Sequence, residues 1–478
     1  MPVASNVECV EKLRDYLRTL KPEARAMLVA ELERGVLRGD EAANDFVLQE
    51  LRRAIRAAGQ PVKRIGDAAR LFFAPIEPFL VDDGADHGRI GRIARISLEP
   101  MWEWIRRDLM PAEAKALADD INRALLDDDQ VKAELLTRAL QERAVQRIRE
   151  TVAKIGGDEK ARRRLAVQVG TQRALDDLHT LTRILEVRDM LADLARRLPS
   201  QIRTFDRDPI DQVKAMLDAA AQHKPDIDPA RKADILLFGL VLVMGRLTAP
   251  WQLVGIATRA AESDDAARVA ETPYAVAVAI VLGEIECQVG ELRAEIKAHR
   301  PVNSLLRNIH DAARTLRTEM DLSVESPWGR QLAAVRTEVS NLLKAEIEST
   351  PGRVRRLLRP RPLDDVGYGA LDAIDVGDAE TLIELVGACR TYASELAVNE
   401  VTMRTWSELQ QYLETSTKVL LDALRHAGED DRPFRQSQVD AAIRFCKAVL
   451  GADYAAVLAK AAEIAAQGGA LERRSARA

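Results

Sequence analysis

Residues 272–297 read TPYAVAVAIVLGEIECQVGELRAEIK, and two incompatible periodicities overlap in them. Ala275, Val276, Ala277 and Val278 alternate as a strand would. Val278, Leu282, Ile285, Val289, Leu292 and Ile296 instead recur at spacings of 4, 3, 4, 3 and 4, which places all six on one face of a helix. Thr272 followed by Pro273 favours the helix. A capping oxygen satisfies orphan N–H groups, and a proline at the first helical position has no N–H to leave unpaired. The stretch is predicted to be one long helix.

The same start signal recurs at Asp208-Pro209, Asp228-Pro229 and Ser326-Pro327, and Ser5 with Glu8 has capping-box spacing. Asp40 with Glu41 marks another start. Helical stripes follow at Leu332, Val335, Val339 and Leu342, and at Ile184, Val187, Leu191, Leu194 and Leu198. Aromatic residues make up only 4% of the chain, which suits aliphatic helix packing and argues against a β-rich protein. The expected fold is all-α, made of multi-domain helical bundles with no substantial β-sheet. The stretch 158–198 sustains too few heptads for a coiled coil and reads as a packed bundle helix. No solenoid-type repeat period is visible.

A chain of 478 residues exceeds one ordinary hydrophobic core. Composition breaks divide it into an N-terminal helical domain (1–110), a long-helix region (111–200), a central helical domain (201–350), a linker (351–377) and a C-terminal helical domain (378–478). The linker opens with Pro351-Gly352 and carries Pro360, Pro362, Gly367, Gly369 and Gly377. Within the first domain, 72–104 is irregular and rich in Phe and Trp.

Two uncharged runs, 235–245 and 273–283, would each span about 16 Å as helix against a bilayer core of about 30 Å. They read as buried core helices. The charged start at Glu8, Glu11 and Lys12 is unlike a secretory signal, and Cys9, Cys287, Cys389 and Cys446 are too scattered for a disulfide framework. A soluble, cytoplasmic protein with reduced, buried thiols is expected.

No phosphate-binding loop, dinucleotide fingerprint, nucleophile elbow or zinc-helix motif occurs. Gly88 and Gly91 with Arg89 and Arg92 offer an anion-contacting loop, though a surface loop explains them as well. Of the six histidines, Asp176-x-x-His179 is a single match with the wrong acid for a di-iron bundle, and Glu295 and His299 merely share a face. Neither catalytic residues nor a metal or other cofactor is expected.

Two anomalies stand out. Arg353, Arg355, Arg356, Arg359 and Arg361 crowd one short segment without an acid among them, and guanidinium groups pair with carboxylate or phosphate in a bidentate way. Trp102, Trp104, Arg106 and Arg107 combine the residue types that dominate interface energetics. A solvated basic segment explains the first, and aromatic packing of an irregular segment the second.

The reading that follows is a non-catalytic helical scaffold, adaptor or regulatory protein that binds a protein partner, with peripheral membrane contact through the basic linker as a variant. The alternative is an all-helical enzyme or small-ligand binder with its pocket among the helices of 235–296, beside Trp251 and Tyr274. A nucleic-acid-associated protein acting through the basic linker is the third, against which the net charge of −5 argues.

Overall fold

The computed structural model describes residues 67–82, 89–222, 228–359 and 370–476, with a few positions between 24 and 47. The fold is all-α. In chain order the helices are α1 (Ala68–Phe73), α2 (Leu98–Trp104), α3 (Pro111–Leu126), α4 (Gln130–Ile155), α5 (Glu159–Val169), α6 (Gln172–Arg197), α7 (Arg207–Gln222), α8 (Pro229–Met244), α9 (Val254–Ala261), α10 (Ala266–Ala270), α11 (Ala275–Lys297), α12 (Asn303–Glu319), α13 (Pro327–Leu358), α14 (Ala373–Leu396), α15 (Asn399–Arg425), α16 (Arg432–Val449) and α17 (Ala452–Ala476). Among the described residues the β-structure is a two-stranded parallel ladder, β1 (Leu80–Val81) on β2 (Ile93–Ala94), and isolated bridges. None of the described helices is long and apolar enough to cross a membrane.

The chain forms two compact units. Unit 1 holds the described residues up to Asp82, then Gly91–Arg197 and Ala220–Leu242; unit 2 holds Arg89 and Ile90, Leu198–Ala219 and Val243–Ala478.

Unit 1 is organised by the α3–α4 hairpin, with α6 packed along α4 and α5 packed on α6. The aromatic segment is its core. Phe72 and Phe73 meet edge to face at 5.0 Å, and Trp102 lies 5.4 Å from Phe72. Asp177 of α6 is buried and ties the segment down, accepting from the Ala94 N–H at 3.1 Å and from the Ser97 hydroxyl at 2.6 Å. The stretch 158–198 is two helices and not one. Gly170 adopts φ +125°, a conformation L side chains rarely take, and packs beside Pro100.

In unit 2, helices α11 to α17 each pack on the next but one and, α12 and α13 apart, on the next, which makes a two-layered array. The stripe of α11 is its core side: Val278, Leu282, Ile285, Val289 and Leu292 are buried. The strand-like Ala-Val alternation is thus overridden by helical packing. In α13, Leu343 takes the buried place expected for Leu342, and the stripe continues through Ile347, Pro351 and Val354.

Helix starts follow the cap signal at two of the four positions. Ser326 accepts the Gly329 N–H at 2.9 Å, and Asp228 accepts the Ala230 N–H at 3.2 Å. Helix α7 instead begins at Arg207, before Asp208, and α11 begins at Ala275, after a turn that includes Pro273. The linker expected from Pro351-Gly352 onward is also corrected, because α13 continues through both residues to Leu358. Pro351, Val354, Leu357 and Leu358 are buried there, so packing outweighs the lost backbone hydrogen bond. Residues 373–377 open α14, and 360–369 lie outside the described residues.

Two glycines of α13 test this account with opposite signs. A Cβ on Gly329 would collide with the Ser323 carbonyl and crowd the capping Ser326 hydroxyl, whereas one on Gly352 meets nothing within 4 Å. Gly329→Ala is expected to destabilise by about 1–3 kcal/mol, through overpacking and loss of the cap. Gly352→Ala is expected to stabilise by about 0.5–1 kcal/mol, through helix propensity. Urea unfolding of both variants checks the pair; equal shifts in one direction would contradict it.

Candidate functional site

One opening in unit 1 is a groove between α4 and α6. Its wider part has a volume of about 720 Å³ and is walled by Pro75, Pro78 and Phe79, by Val131 and Leu135 of α4, and by Leu191, Ala192 and Ala195 of α6. A second cavity, of about 470 Å³, is lined by Val145, Arg149, Glu186 and Arg231 and shares Arg188 and Asp189 with the first. Between the two, the Arg138–Asp189 and Arg188–Glu142 ion pairs cross from α4 to α6.

The helical period of α4 explains this wall. One face buries Ala133, Leu140, Ala144 and Ile148 against the unit. Val131 and Leu135 fall off that face, one turn apart, and remain 70% and 64% exposed. Two apolar side chains left in water at one end of a groove are the costly feature of this surface, since burying each would return about 1–2 kcal/mol.

The polar groups of the groove are mostly engaged with each other. Arg138 grips Asp189 with two bonds, at 2.9 and 2.8 Å. Arg188 donates to Glu142 at 2.9 Å and to the Leu185 carbonyl at 2.7 Å. Gln141 donates to the buried Phe72 carbonyl at 2.8 Å. Glu186 accepts from Arg149 at 2.6 Å, and its burial pushes the carboxyl above its ordinary range despite Arg149 and Arg231. Glu134 is the acid of the wide part with no ion pair among the described residues. The wall is therefore apolar at the α4 N-terminal end and charged, but internally balanced, toward Arg149.

The residues singled out from sequence do not converge. Trp102 and Trp104 are buried in unit 1, so the packing explanation accounts for them; as folded they present no exposed aromatic docking face. Arg106 and Arg107 are exposed and pair with Glu103 at 3.5 Å and Asp108 at 2.6 Å. In the arginine set, Arg355 bonds Glu408 and lies 5.6 Å from the Tyr412 ring, and Arg356 is 3.9 Å from Asp375. Arg353 and Arg359 have no carboxylate within ion-pairing distance among the described residues, and Arg361 lies outside them. Arg89 is clamped by Glu284, at 3.1 Å, and by Glu291, and Arg92 donates to the Pro78 carbonyl, so both arginines of the glycine loop are engaged internally.

The pocket expected among 235–296 is closed where it was looked for. Beside Trp251 and Val281 the free space is about 10 Å³, room for about one water. Tyr274 is buried, and its hydroxyl donates to Asp218 at 2.7 Å.

Cys287, Cys389 and Cys446 are buried, with thiols pushed up to about 11, about 12 and about 12, so they stay protonated and unreactive at neutral pH. Among the described residues no group of three or more potential ligands could hold a metal ion. Glu295 pairs with Arg300 at 3.1 Å, and His299 lies beyond the helix end at φ +52°.

The groove went unread in the sequence, although a signal was there. From 131 to 148 there are more apolar residues than one stripe uses, and Val131 and Leu135 are the surplus. Comparison with protein-family models, curated proteins and solved structures finds no match to this chain.

The raised carboxyl of Glu186 gives a signed pH test. A folded-state acid held above its unfolded value favours folding most when protonated, and that contribution is lost as pH rises through the carboxylate range. Glu186→Gln removes the charged form. The variant should gain stability relative to the native chain between about pH 4 and pH 7, as measured by urea unfolding at both values. A relative loss over that interval would show that the ion pair with Arg149 outweighs desolvation.

Proposed function

We propose that this protein is a non-catalytic helical scaffold, adaptor or regulatory protein, acting in the cytoplasm, and that the α4–α6 groove receives an amphipathic helix of a partner protein. The observation that carries the reading is the exposure of Val131 and Leu135 on the wall of a cavity of about 720 Å³ between α4 and α6. A partner helix laid along α4 would cover both with apolar side chains at one end and meet alternating charges from Glu142 to Arg149 at the other. Helix-in-groove recognition lays the apolar face of an amphipathic helix on an apolar wall, which Val131 and Leu135 supply with Pro75, Pro78 and Phe79. The mutual pairing of Arg138 with Asp189 and of Arg188 with Glu142 leaves little unspent charge for reaction chemistry. The protonated, buried thiols point the same way.

A second reading takes a small apolar ligand into the wide part, whose volume of about 720 Å³ falls in the range of small-molecule pockets.

Native mass spectrometry of the gently purified full chain separates the two. A stoichiometric second protein is expected with the native chain and is lost with Val131→Asp/Leu135→Asp, whose exposed positions leave folding intact. An extra small mass on a lone chain, lost in the same variant, supports the ligand instead. Retention of the second protein by the folded variant would remove the groove from the account.

A further inference from the structure

We propose that the outward face of α5 is a second docking surface, one that takes an acidic segment of a partner polypeptide. Helix α5 buries Leu165, Ala166 and Val169. At 100° per residue the opposite face consists of Lys160, Arg163, Arg164 and Val167. All four are exposed, Val167 to 78%. Among the described residues no carboxylate lies within ion-pairing distance of Lys160, Arg163 or Arg164, whereas Arg162, on the side of the helix that carries Leu165 and Ala166, reaches Asp176 of α6 at 3.2 Å.

Two features of this face are locally unfavourable. Lys160 and Arg164 are like charges four residues apart, which costs a helix about 0.2–0.5 kcal/mol. Val167 adds an aliphatic side chain in water. Glu159 and the capping Asp158 supply the acids that the helix dipole favours at the N-terminal end, yet neither lies within ion-pairing distance of the three cations. Elsewhere in unit 1 exposed arginines have acids within reach, as in Arg147 with Glu150, Arg123 with Asp120, and Arg196 with Asp193. Concentrated local conflict on one face, with the helix otherwise well capped by Asp158, points to an interaction satisfied from outside the chain.

The chemistry of the face selects the partner. From Lys160 to Val167 it is about 10 Å long, too short for the roughly 6–10 phosphate contacts of a typical duplex-binding surface. One exposed valine gives no apolar face to insert into a membrane. An acidic polypeptide fits better, with carboxylates spaced to meet Arg163, Arg164 and Lys160, and an apolar side chain for Val167. Arginine pairs with carboxylates through two parallel hydrogen bonds and is enriched among residues that carry binding energy. The α5 face lies apart from the groove residues, so either surface can fail without the other.

Fluorescence anisotropy with a labelled poly-glutamate peptide and the full-length chain tests this. The native chain is expected to bind at low ionic strength and to weaken as salt rises. Lys160→Glu/Arg163→Glu/Arg164→Glu is expected to weaken binding by about tenfold or more, while Val131→Asp/Leu135→Asp and Arg353→Glu/Arg359→Glu leave it unchanged. The corresponding triple glutamine variant decides the matter if the glutamate variant fails to fold, and is expected to lose most of the binding. The proposal is overturned if the native chain ignores the peptide, if either folded α5 variant binds as the native chain does, or if Arg353→Glu/Arg359→Glu weakens binding as much. Tighter binding to a short duplex DNA or to phosphatidylserine vesicles, abolished by the same α5 changes, would also overturn it.

Discussion

Covering one apolar stripe on each helix is the constraint from which the rest of this protein follows. Short helices are marginal in water on their own, so α5, of 11 residues, persists because Leu165, Ala166 and Val169 are covered. The long helices of unit 2 answer the same demand collectively. The stripe of α11 and that of α13, from Leu332 to Val354, are buried as helices stack on the next but one. Pro351 shows how strong the constraint is: a residue that ordinarily breaks a helix is carried inside one because its neighbours Val354, Leu357 and Leu358 must be buried.

Where the constraint is left unmet, the surface becomes informative. Val131 and Leu135 on α4, and Val167 on α5, lie outside the stripes that hold unit 1 together. Single exposed aliphatic residues are normal. These differ in setting: one pair lines a groove, and the third ends a face of unpaired cations. The groove's charges are balanced among themselves, which suits recognition by shape, while the α5 face is unbalanced, which suits recognition by charge.

Much of the fold was legible in the sequence, because helical periodicity and caps are local signals. Residues 278–292 and Ser326 behave as their spacing implies. The errors came where tertiary packing overrode local preference, at Pro351, or where one backbone angle decided, at Gly170. The candidate site was scarcely legible. Trp102 and Trp104 are hot-spot residue types, yet in the fold both are buried, Trp102 against Phe72 and Phe73. Leu135 and Asp189, which do line a groove, are ordinary residue types whose meaning depends on how α4 lies against α6. No local pattern encodes that arrangement; beside Trp251, by contrast, the apolar sequence packs closely and leaves about 10 Å³ of free space.

The central claim, that the α4–α6 groove holds a partner polypeptide, is tested most directly by photocrosslinking in the native cell. A photoreactive amino acid at Leu135 should form a discrete adduct with a second polypeptide on irradiation, while the same group at Val324, which is still more exposed, should not. No polypeptide adduct from position 135, or the same adducts from both positions, would contradict the account.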